Sequence, residues 1–213
     1  KEIPAFVFSN AGRRSRQFDN AGGLLLIERC REPSSCNYDT HYEFIMYMEE
    51  QFRFVEYLPE HIQQKLIVRL LAYAQGDGSY VDQLWNDRSN HIKTERGVLN
   101  IRKLISQSRL IVHSYDSTGI LETLALNIPT ICFWRDDLSH LLPSAKPYYE
   151  LLHNAGILFY SSETAAKFID FHWYGISEWW ESEKVQEARQ IFCDQYARTA
   201  DHQVQEMKNI LTN

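Results

Sequence analysis

The sequence lacks several short motifs that mark common enzyme classes. It contains no GxGxxG of a dinucleotide-binding fold, no GxxxxGK[ST] of a P-loop and no GxSxG nucleophile elbow. His113, Ser114 and Asp116 carry the side chains of a hydrolytic triad, but residues this close along one strand end do not converge on a shared proton path. These absences disfavour hydride transfer, P-loop hydrolysis and serine-type hydrolysis.

Cysteine and long apolar runs are also scarce. The four cysteines form no CxxC pair and no zinc-finger spacing, so the sequence indicates neither a disulfide framework nor a structural zinc site. They are Cys30, Cys36, Cys132 and Cys193. No stretch approaches the roughly 20 apolar residues that cross a bilayer, and no basic-then-apolar signal pattern opens the chain. We therefore expect a cytoplasmic protein.

Positive charge is limited as well. The net charge is −6, from 22 basic and 28 acidic residues, and no concentrated basic face is visible, which argues against nucleic acid as a partner. The nearest approach to one is local, at Arg13, Arg14 and Arg16 in a predicted loop. These side chains either clamp a phosphate or, as we favour, form a solvated loop.

The segment 109–134 is the most informative part of the chain. An apolar strand pattern at 110–112 is followed by a polar turn at 114–119 and by apolar residues at helical spacing. Pro129 then opens a second apolar strand at 130–133. The pattern predicts a strand–helix–strand unit whose turn presents hydroxyls, a glycine and free helix N–H groups at the carboxyl end of a strand. Such a position favours binding of a phosphate group.

Strand and helix patterns alternate along the rest of the 213 residues. Further strands are predicted at 3–8, 66–70 and 157–159, and helices at 38–58, 98–105, 148–152, 164–171 and 185–211. Loops are predicted at 9–23 and 75–78, and segment 80–97 is not assigned. This alternation is typical of an α/β domain with a parallel sheet covered by helices on both faces.

Five ordered segments carry a resemblance to a known family. The run Asp-Ser-Thr-Gly-Ile-Leu-Glu at 116–122, with Ala-Leu-Asn-Ile-Pro-Thr-Ile at 125–131, resembles the donor-binding half of GT-B glycosyltransferases. Segments 42–58, 65–70, 146–152 with 155–158, and 177–180 resemble bacterial transferases that build surface polysaccharide. The resemblance implies that 1–213 is one Rossmann-like nucleotide-sugar-binding domain, the carboxy-terminal half of a GT-B fold. Because the first residue is Lys1, we expect it to be excised from a larger two-domain enzyme.

The turn and its helix supply the first candidate ligands. Ser117, Thr118 and Gly119 are predicted to hold the phosphates of a nucleotide donor, because glycine lets the backbone approach closely and each hydroxyl adds a donor. The alternative is that a hydroxyl only caps the helix. The resemblance implies that Glu122 accepts hydrogen bonds from ribose hydroxyls. Its alternative is an exposed carboxylate stabilised by the helix dipole.

Arg69 is the remaining candidate ligand. It ends an apolar strand pattern, where a permanent charge requires a partner or a ligand. We expect it to bind phosphate; the alternative is an ion pair with an acidic residue such as Asp87 or Glu95. The aromatic group Trp173, Tyr174, Trp179 and Trp180 could stack a sugar or base, but its density favours packing.

These observations predict a glycosyltransferase domain that binds a nucleotide sugar. The expected partners are the sugar donor, a glycan acceptor and an amino-terminal domain. No cofactor and no metal are expected, because helix amides and Arg can neutralise the leaving phosphate. The catalytic residues stay unknown. The alternatives are a non-catalytic nucleotide-sugar-binding module and a sugar-nucleotide epimerase, and association with the inner face of the membrane is a further expectation.

Overall fold

The computed structural model describes residues 18–28, 41–70, 80–135 and 137–199, with Gln205, Lys208, Asn209 and Thr212 beyond them. Six parallel strands form one sheet in the order β3-β2-β1-β4-β5-β6. Their bounds are β1 Gly23–Ile27, β2 Leu66–Arg69, β3 Lys93–Glu95, β4 Ser108–His113, β5 Thr130–Phe133 and β6 Leu158–Phe159. This is the strand order of the dinucleotide-binding Rossmann fold, so the predicted Rossmann-like α/β class is confirmed.

Helices connect the strands and cover both faces of the sheet. Their bounds are α1 His41–Tyr57, α2 Glu60–Gln63, α3 Tyr80–Ser89, α4 Ile101–Ser106, α5 Thr118–Ala125, α6 Lys146–Asn154, α7 Ser162–His172, a 3-10 turn Trp173–Gly175, α8 Ile176–Glu181 and α9 Glu183–Tyr196. Ile131 packs with residues of α1, α3 and α7, whereas its neighbour Cys132 packs with residues of α5, α6 and α9. Because successive strand residues point to opposite faces, α1 and α5 lie on opposite sides of the sheet.

Most predicted elements are present within the described residues. The strand–helix–strand unit at 109–134 is confirmed, as are the strands near 66–70 and 157–159 and the helices near 148–152 and 164–171. The helix predicted over 185–211 is described as α9 up to Tyr196. The predicted strand at 3–8, most of the loop at 9–23 and the turn at 75–78 lie outside the described residues.

Two elements differ from the sequence prediction. The central strand β1 falls where no element was predicted, although four apolar residues follow Gly23. The helix predicted over 98–105 begins only at Ile101, because the carboxylate of Glu95 accepts the N–H groups of Val98 and Leu99, at 2.7 and 2.8 Å. The side chain of Asn100 then caps α4 by accepting the N–H of Arg102 at 2.9 Å.

Glycine at the start of β1 is required by its neighbour strand. A Cβ built at Gly23 would lie 2.2 Å from the backbone oxygen of Lys65. That oxygen accepts the N–H of Leu24 at 3.0 Å, so it cannot withdraw without loss of the hydrogen bond. We expect Gly23→Ala to lower the free energy of unfolding by about 1–3 kcal/mol, the usual cost of overpacking.

Urea unfolding of the purified chain measures this loss. Gly175→Ala is the matched control, because a Cβ there meets only the Glu178 carboxylate at 3.8 Å and the glycine has a negative φ. The control variant should unfold at the same urea concentration as the original chain. Equal stability of both variants would show that β1 adjusts around the added methyl.

Candidate functional site

The carboxyl ends of β1 and β4 define the centre of the candidate site. Ile27 lies in register with Arg69 on one side and with His113 on the other, so three strands end in one row. The chain leaves β1 towards α1 and leaves β4 towards α5, which cover opposite faces. Such a switch point opens a crevice at the sheet edge, the usual ligand position in open α/β sheets.

The turn between β4 and α5 brings Ser117, Thr118 and Gly119 to this crevice. Ser117 precedes the helix with extended backbone angles, φ −148° and ψ 163°, yet its side chain makes no capping hydrogen bond. Its Oγ is buried and has no hydrogen-bond partner among the described residues, whereas Thr118 is exposed. The hydroxyl of Ser117 therefore does not act as the helix cap that was the alternative interpretation. Phosphate binding by the three residues stays a prediction.

The imidazole ring of His113 packs against Gly119 of this turn. A Cβ at Gly119 would lie 2.9 Å from Cε1 and 3.3 Å from Nδ1 of the imidazole, so only glycine lets the turn settle on the ring. The ring is 1% exposed, and burial lowers the pKa of His113 to about 3, which makes it neutral at physiological pH. This histidine is a structural support rather than a proton donor or acceptor in solution.

The tautomer of His113 follows from its neighbour. The hydroxyl of Thr123 lies 3.1 Å from the carbonyl of Gly119 and 3.2 Å from that of Ile120, so its proton is committed to the backbone. Nε2 of His113, 3.3 Å from the same hydroxyl oxygen, must then be the protonated nitrogen. Nδ1 is left as an acceptor, buried and without a partner among the described residues.

The three triad-type residues have separate partners, as expected. The hydroxyl of Ser114 lies 2.7 Å from Oη of Tyr47, and His113 bonds Thr123. The hydroxyl of Tyr149 donates a hydrogen bond to the carboxylate of Asp116, with Oη 3.1 Å from Oδ1 and 3.2 Å from Oδ2. Burial raises the pKa of Asp116, and the hydrogen bond from Tyr149 opposes that shift. No proton path joins them.

Glu122 and Arg69 lie outside the turn that joins β4 to α5. Glu122 is exposed on α5, and its ribose role stays a prediction. Arg69 forms an ion pair with Glu95, and its Nη1 also donates to the carbonyl of Leu99 at 3.0 Å. The ion pair that was the alternative for Arg69 is therefore present. Arg69 is two strands away from His113, or roughly 10 Å at the usual strand spacing.

A buried acid that the sequence prediction missed lies directly after β1. The side chain of Glu28 is 2% exposed and contacts Nε1 of Trp85 with both oxygens, at 3.2 and 3.3 Å. Burial raises the pKa of Glu28 from 4.5 to about 8, although the hydrogen bond from Trp85 acts in the opposite direction. An acidic residue straight after an apolar run was the only available signal.

A cleft opens beside the turn, between α1 and the end of β5. Its volume is about 310 Å³. Gln51 and Tyr47 line it from α1, Ser114 from the end of β4, and Phe133 and Trp134 from the end of β5. We call it the α1–β5 cleft. No residue of α1 was predicted to belong to a site.

The aromatic cluster near the carboxyl end mostly packs the core. Trp173 and Trp180 are 1% and 0% exposed, and Nε1 of Trp180 donates to Asn127. Tyr174 is 84% exposed and stacks on His61 at a centroid distance of 6.1 Å. Packing therefore accounts for the two buried tryptophans.

Other sequence predictions meet the structure only in part. Arg13, Arg14 and Arg16 lie outside the described residues. Within the described parts of the chain, no group of three or more His, Cys, Asp or Glu side chains has the arrangement of a metal site. No helix in those parts is long and apolar enough to cross a bilayer.

Comparison with known families places the chain among transferases. A model of the LIC12162 family transferases matches residues 1–211, nearly the whole sequence. The chain belongs to this family. No curated protein matches it. The family description agrees with the expected transferase activity.

The buried Glu28 predicts a pH dependence of stability. Since its pKa is raised on folding, the folded state keeps a proton that the unfolded state releases above pH 4.5. Stability should therefore fall as the pH rises from 4.5 to about 8, and then level off. Glu28→Gln, which stays neutral and still accepts from Trp85, should flatten this slope. Urea unfolding across that pH interval measures it, and identical slopes would contradict the prediction.

The ion pair between Arg69 and Glu95 predicts that replacing Arg69 lowers the stability of the nucleotide-free protein. Arg69 and Glu95 are 14% and 7% exposed at their side chains, so Arg69→Met should destabilise the free domain. The loss should be about 3 kcal/mol, the lower end for a broken buried pair, because Glu95 keeps three backbone N–H donors. Thermal melts with and without nucleotide measure it. The opposite result would be an unchanged melting temperature of the nucleotide-free variant together with loss of the increase that nucleotide gives. That result would assign Arg69 to ligand binding.

Proposed function

We propose that the chain is the donor-nucleotide-binding domain of a GT-B-type glycosyltransferase. The reaction is transfer of a sugar from a nucleotide donor to a growing cell-surface glycan. The observation that carries the proposal is the turn at 117–119, which lies at the switch point of a Rossmann-like sheet in a transferase family chain. The resemblance of segment 116–131 to GT-B donor domains supports a nucleotide sugar as the donor.

The geometry of the turn supports phosphate as the bound group. The N–H groups at the start of α5 carry the positive end of the helix dipole. The N–H of Ile120 already donates to the carbonyl of Ser117 at 3.1 Å, so the proposal assigns the N–H groups of Thr118 and Gly119 to the phosphate. Gly119 lets the turn pack closely on the ring of His113, and the hydroxyl of Ser117 has no capping hydrogen bond to lose when it turns to a ligand. A developing negative charge on a leaving diphosphate would be stabilised there without a bound metal.

Substitution of the two hydroxyl residues tests the proposal. We expect Ser117→Ala and Thr118→Val each to weaken binding of the nucleotide by about 1.5–3 kcal/mol, the value for a hydrogen bond to a charged group. Neither change should lower the melting temperature, because Ser117 makes no capping bond and Thr118 is exposed. Calorimetric titration with UDP, GDP and CMP measures the affinities.

A capping serine in the same chain is the matched control. Ser161 precedes α7, and its Oγ accepts the N–H of Thr164 at 3.2 Å. Ser161→Ala should therefore lower the melting temperature and leave nucleotide affinity unchanged. If the Ser117 and Thr118 variants behave like the Ser161 variant, the two residues only stabilise the helix and the proposed site is wrong.

From the resemblance to GT-B enzymes we further propose that a second domain binds the glycan acceptor. Under this proposal the chain binds nucleotide but does not turn it over alone. Chromatography followed by mass spectrometry of a donor incubation separates an epimerase from the proposed domain, because epimeric nucleotide sugars have equal mass but different retention. Intact donor supports the proposal, an isomerised donor indicates an epimerase, and glycan product from the isolated chain would contradict the need for a second domain.

A further inference from the structure

A half-exposed pair of a carboxylate and an imidazole lies beside the turn at 117–119. Asp116 directly precedes Ser117, and its Oδ2 lies 3.9 Å from Nε2 of His140. His140 belongs to the segment that joins β5 to α6, so the pair links two neighbouring connections at the carboxyl edge of the sheet. The side chains are 47% exposed for His140 and 35% for Asp116. Solvent therefore reaches this imidazole, unlike the buried ring of His113.

Aromatic rings hold the pair in place. The ring of His140 meets the indole of Trp134 edge to face, with centroids 5.8 Å apart and an interplanar angle of 83°. Tyr149 of α6 packs on the same indole at a centroid distance of 5.9 Å, and its hydroxyl donates to Asp116. Contacts of this kind restrict the orientation of a ring. Both members of the pair thus have a defined position in the ligand-free protein.

The two ring nitrogens of His140 differ in position. Nε2 faces the carboxylate of Asp116, although 3.9 Å is longer than a hydrogen bond. Nδ1 occupies another corner of the same ring and is therefore directed elsewhere. An imidazolium carries a proton on both nitrogens, so one N–H can face Asp116 while the other donates to an anion.

The charge of the pair depends on the protonation of His140. With a neutral imidazole the pair carries the negative charge of Asp116 and repels a phosphate, whereas with an imidazolium it is neutral overall and offers a donor. Asp137, in the same segment as His140, interacts electrostatically with His140 and with Lys146 at the start of α6. The opposite charges of Asp137 and Lys146 offset each other. The imidazole therefore determines whether this side of the turn attracts an anion.

From these observations we propose that His140, in its protonated form, donates a hydrogen bond from Nδ1 to the phosphate of the nucleotide, and that Asp116 is a positioning residue for its ring. The inference rests on the proposed function because it takes that phosphate to lie at the turn 117–119. A charge-assisted hydrogen bond to phosphate is stronger than a neutral one. The contribution of His140 to binding should therefore be large at low pH and lost as the imidazole becomes neutral.

A ratio of affinities tests the proposal. Calorimetry measures binding of UDP, GDP and CMP to the original chain and to His140→Gln between about pH 6 and about pH 8.5, the interval in which histidine normally loses its charge. A terminal phosphate also ionises in this interval, so the two chains are compared at each pH. We expect the original chain to bind roughly 10- to 100-fold more tightly at the low end, the value of one hydrogen bond to a charged group. The ratio should approach one at the high end.

A second exposed histidine is the matched control. His91 directly precedes the turn into β3 at the amino edge of the sheet, and its Nε2 lies 2.9 Å from Oε1 of Gln63. His91→Gln should leave the affinity unchanged at every pH. The role of Asp116 is tested by Asp116→Leu, which should lose the gain that His140 gives. Asp116→Asn should retain it, because the amide oxygen can still accept from Tyr149 and from Nε2–H.

The remaining outcomes separate this inference from the proposed function. If His140→Gln binds as tightly as the original chain while Ser117→Ala binds more weakly, the inference is wrong and the proposed function stands. A weaker but pH-independent affinity of His140→Gln, with a lower melting temperature, would show a structural role and also overturn the inference. NMR of the His140 ring during titration with pyrophosphate gives an independent readout. A ring response to pyrophosphate without any nucleotide binding would support the phosphate contact and refute the proposed function, and no response to any of these ligands would overturn the inference.

Discussion

The parallel pairing of β1 with β4 is the constraint on which the rest of this structure depends. Ile27 and His113 lie in register at the centre of the sheet, and the chain leaves these two strands towards opposite faces. Glu28 directly follows β1, and Ser114 and Ser117 follow β4, so these groups lie just beyond that row. The crevice is therefore a consequence of connectivity, and the side chains only determine what it binds.

A neutral histidine gives the turn its shape. The ring of His113 fills the space under Gly119, and Thr123 fixes its tautomer through a hydroxyl committed to the backbone of α5. Each group constrains the next, so the turn and the first helical turn of α5 form one unit with the end of β4. If the turn binds phosphate as proposed, its fixed shape lowers the entropic cost of ordering these residues around the ligand.

The sequence predicted the parts of this fold that depend on local pattern. Segment 109–134 has apolar strands and a helical repeat separated by a turn, so its elements are recovered nearly at their bounds. The start of α4 depends on Glu95 capturing two backbone N–H groups, which no periodicity reveals. For Arg69 the sequence left two acidic partners, and only the register of β2 with β3 selects Glu95. The α1–β5 cleft joins α1 to β5 across the sheet, so its lining could not be inferred from spacing.

Four buried side-chain atoms lack hydrogen-bond partners among the described residues: Gln51 Oε1, His113 Nδ1, Ser117 Oγ and Trp134 Nε1. Gln51 lines the α1–β5 cleft, His113 and Ser117 lie at the adjoining turn, and the indole of Trp134 packs with Tyr149 on the opposite face of the sheet. Each costs about 1–3 kcal/mol, against a total stability of about 5–15 kcal/mol for a typical domain. Chance would scatter such costs over the core, whereas here all four border one edge of the sheet. This concentration of unsatisfied polarity agrees with the site proposed at the turn, where a bound ligand would supply a partner to the hydroxyl of Ser117, whereas Nδ1 of His113 stays enclosed under Gly119.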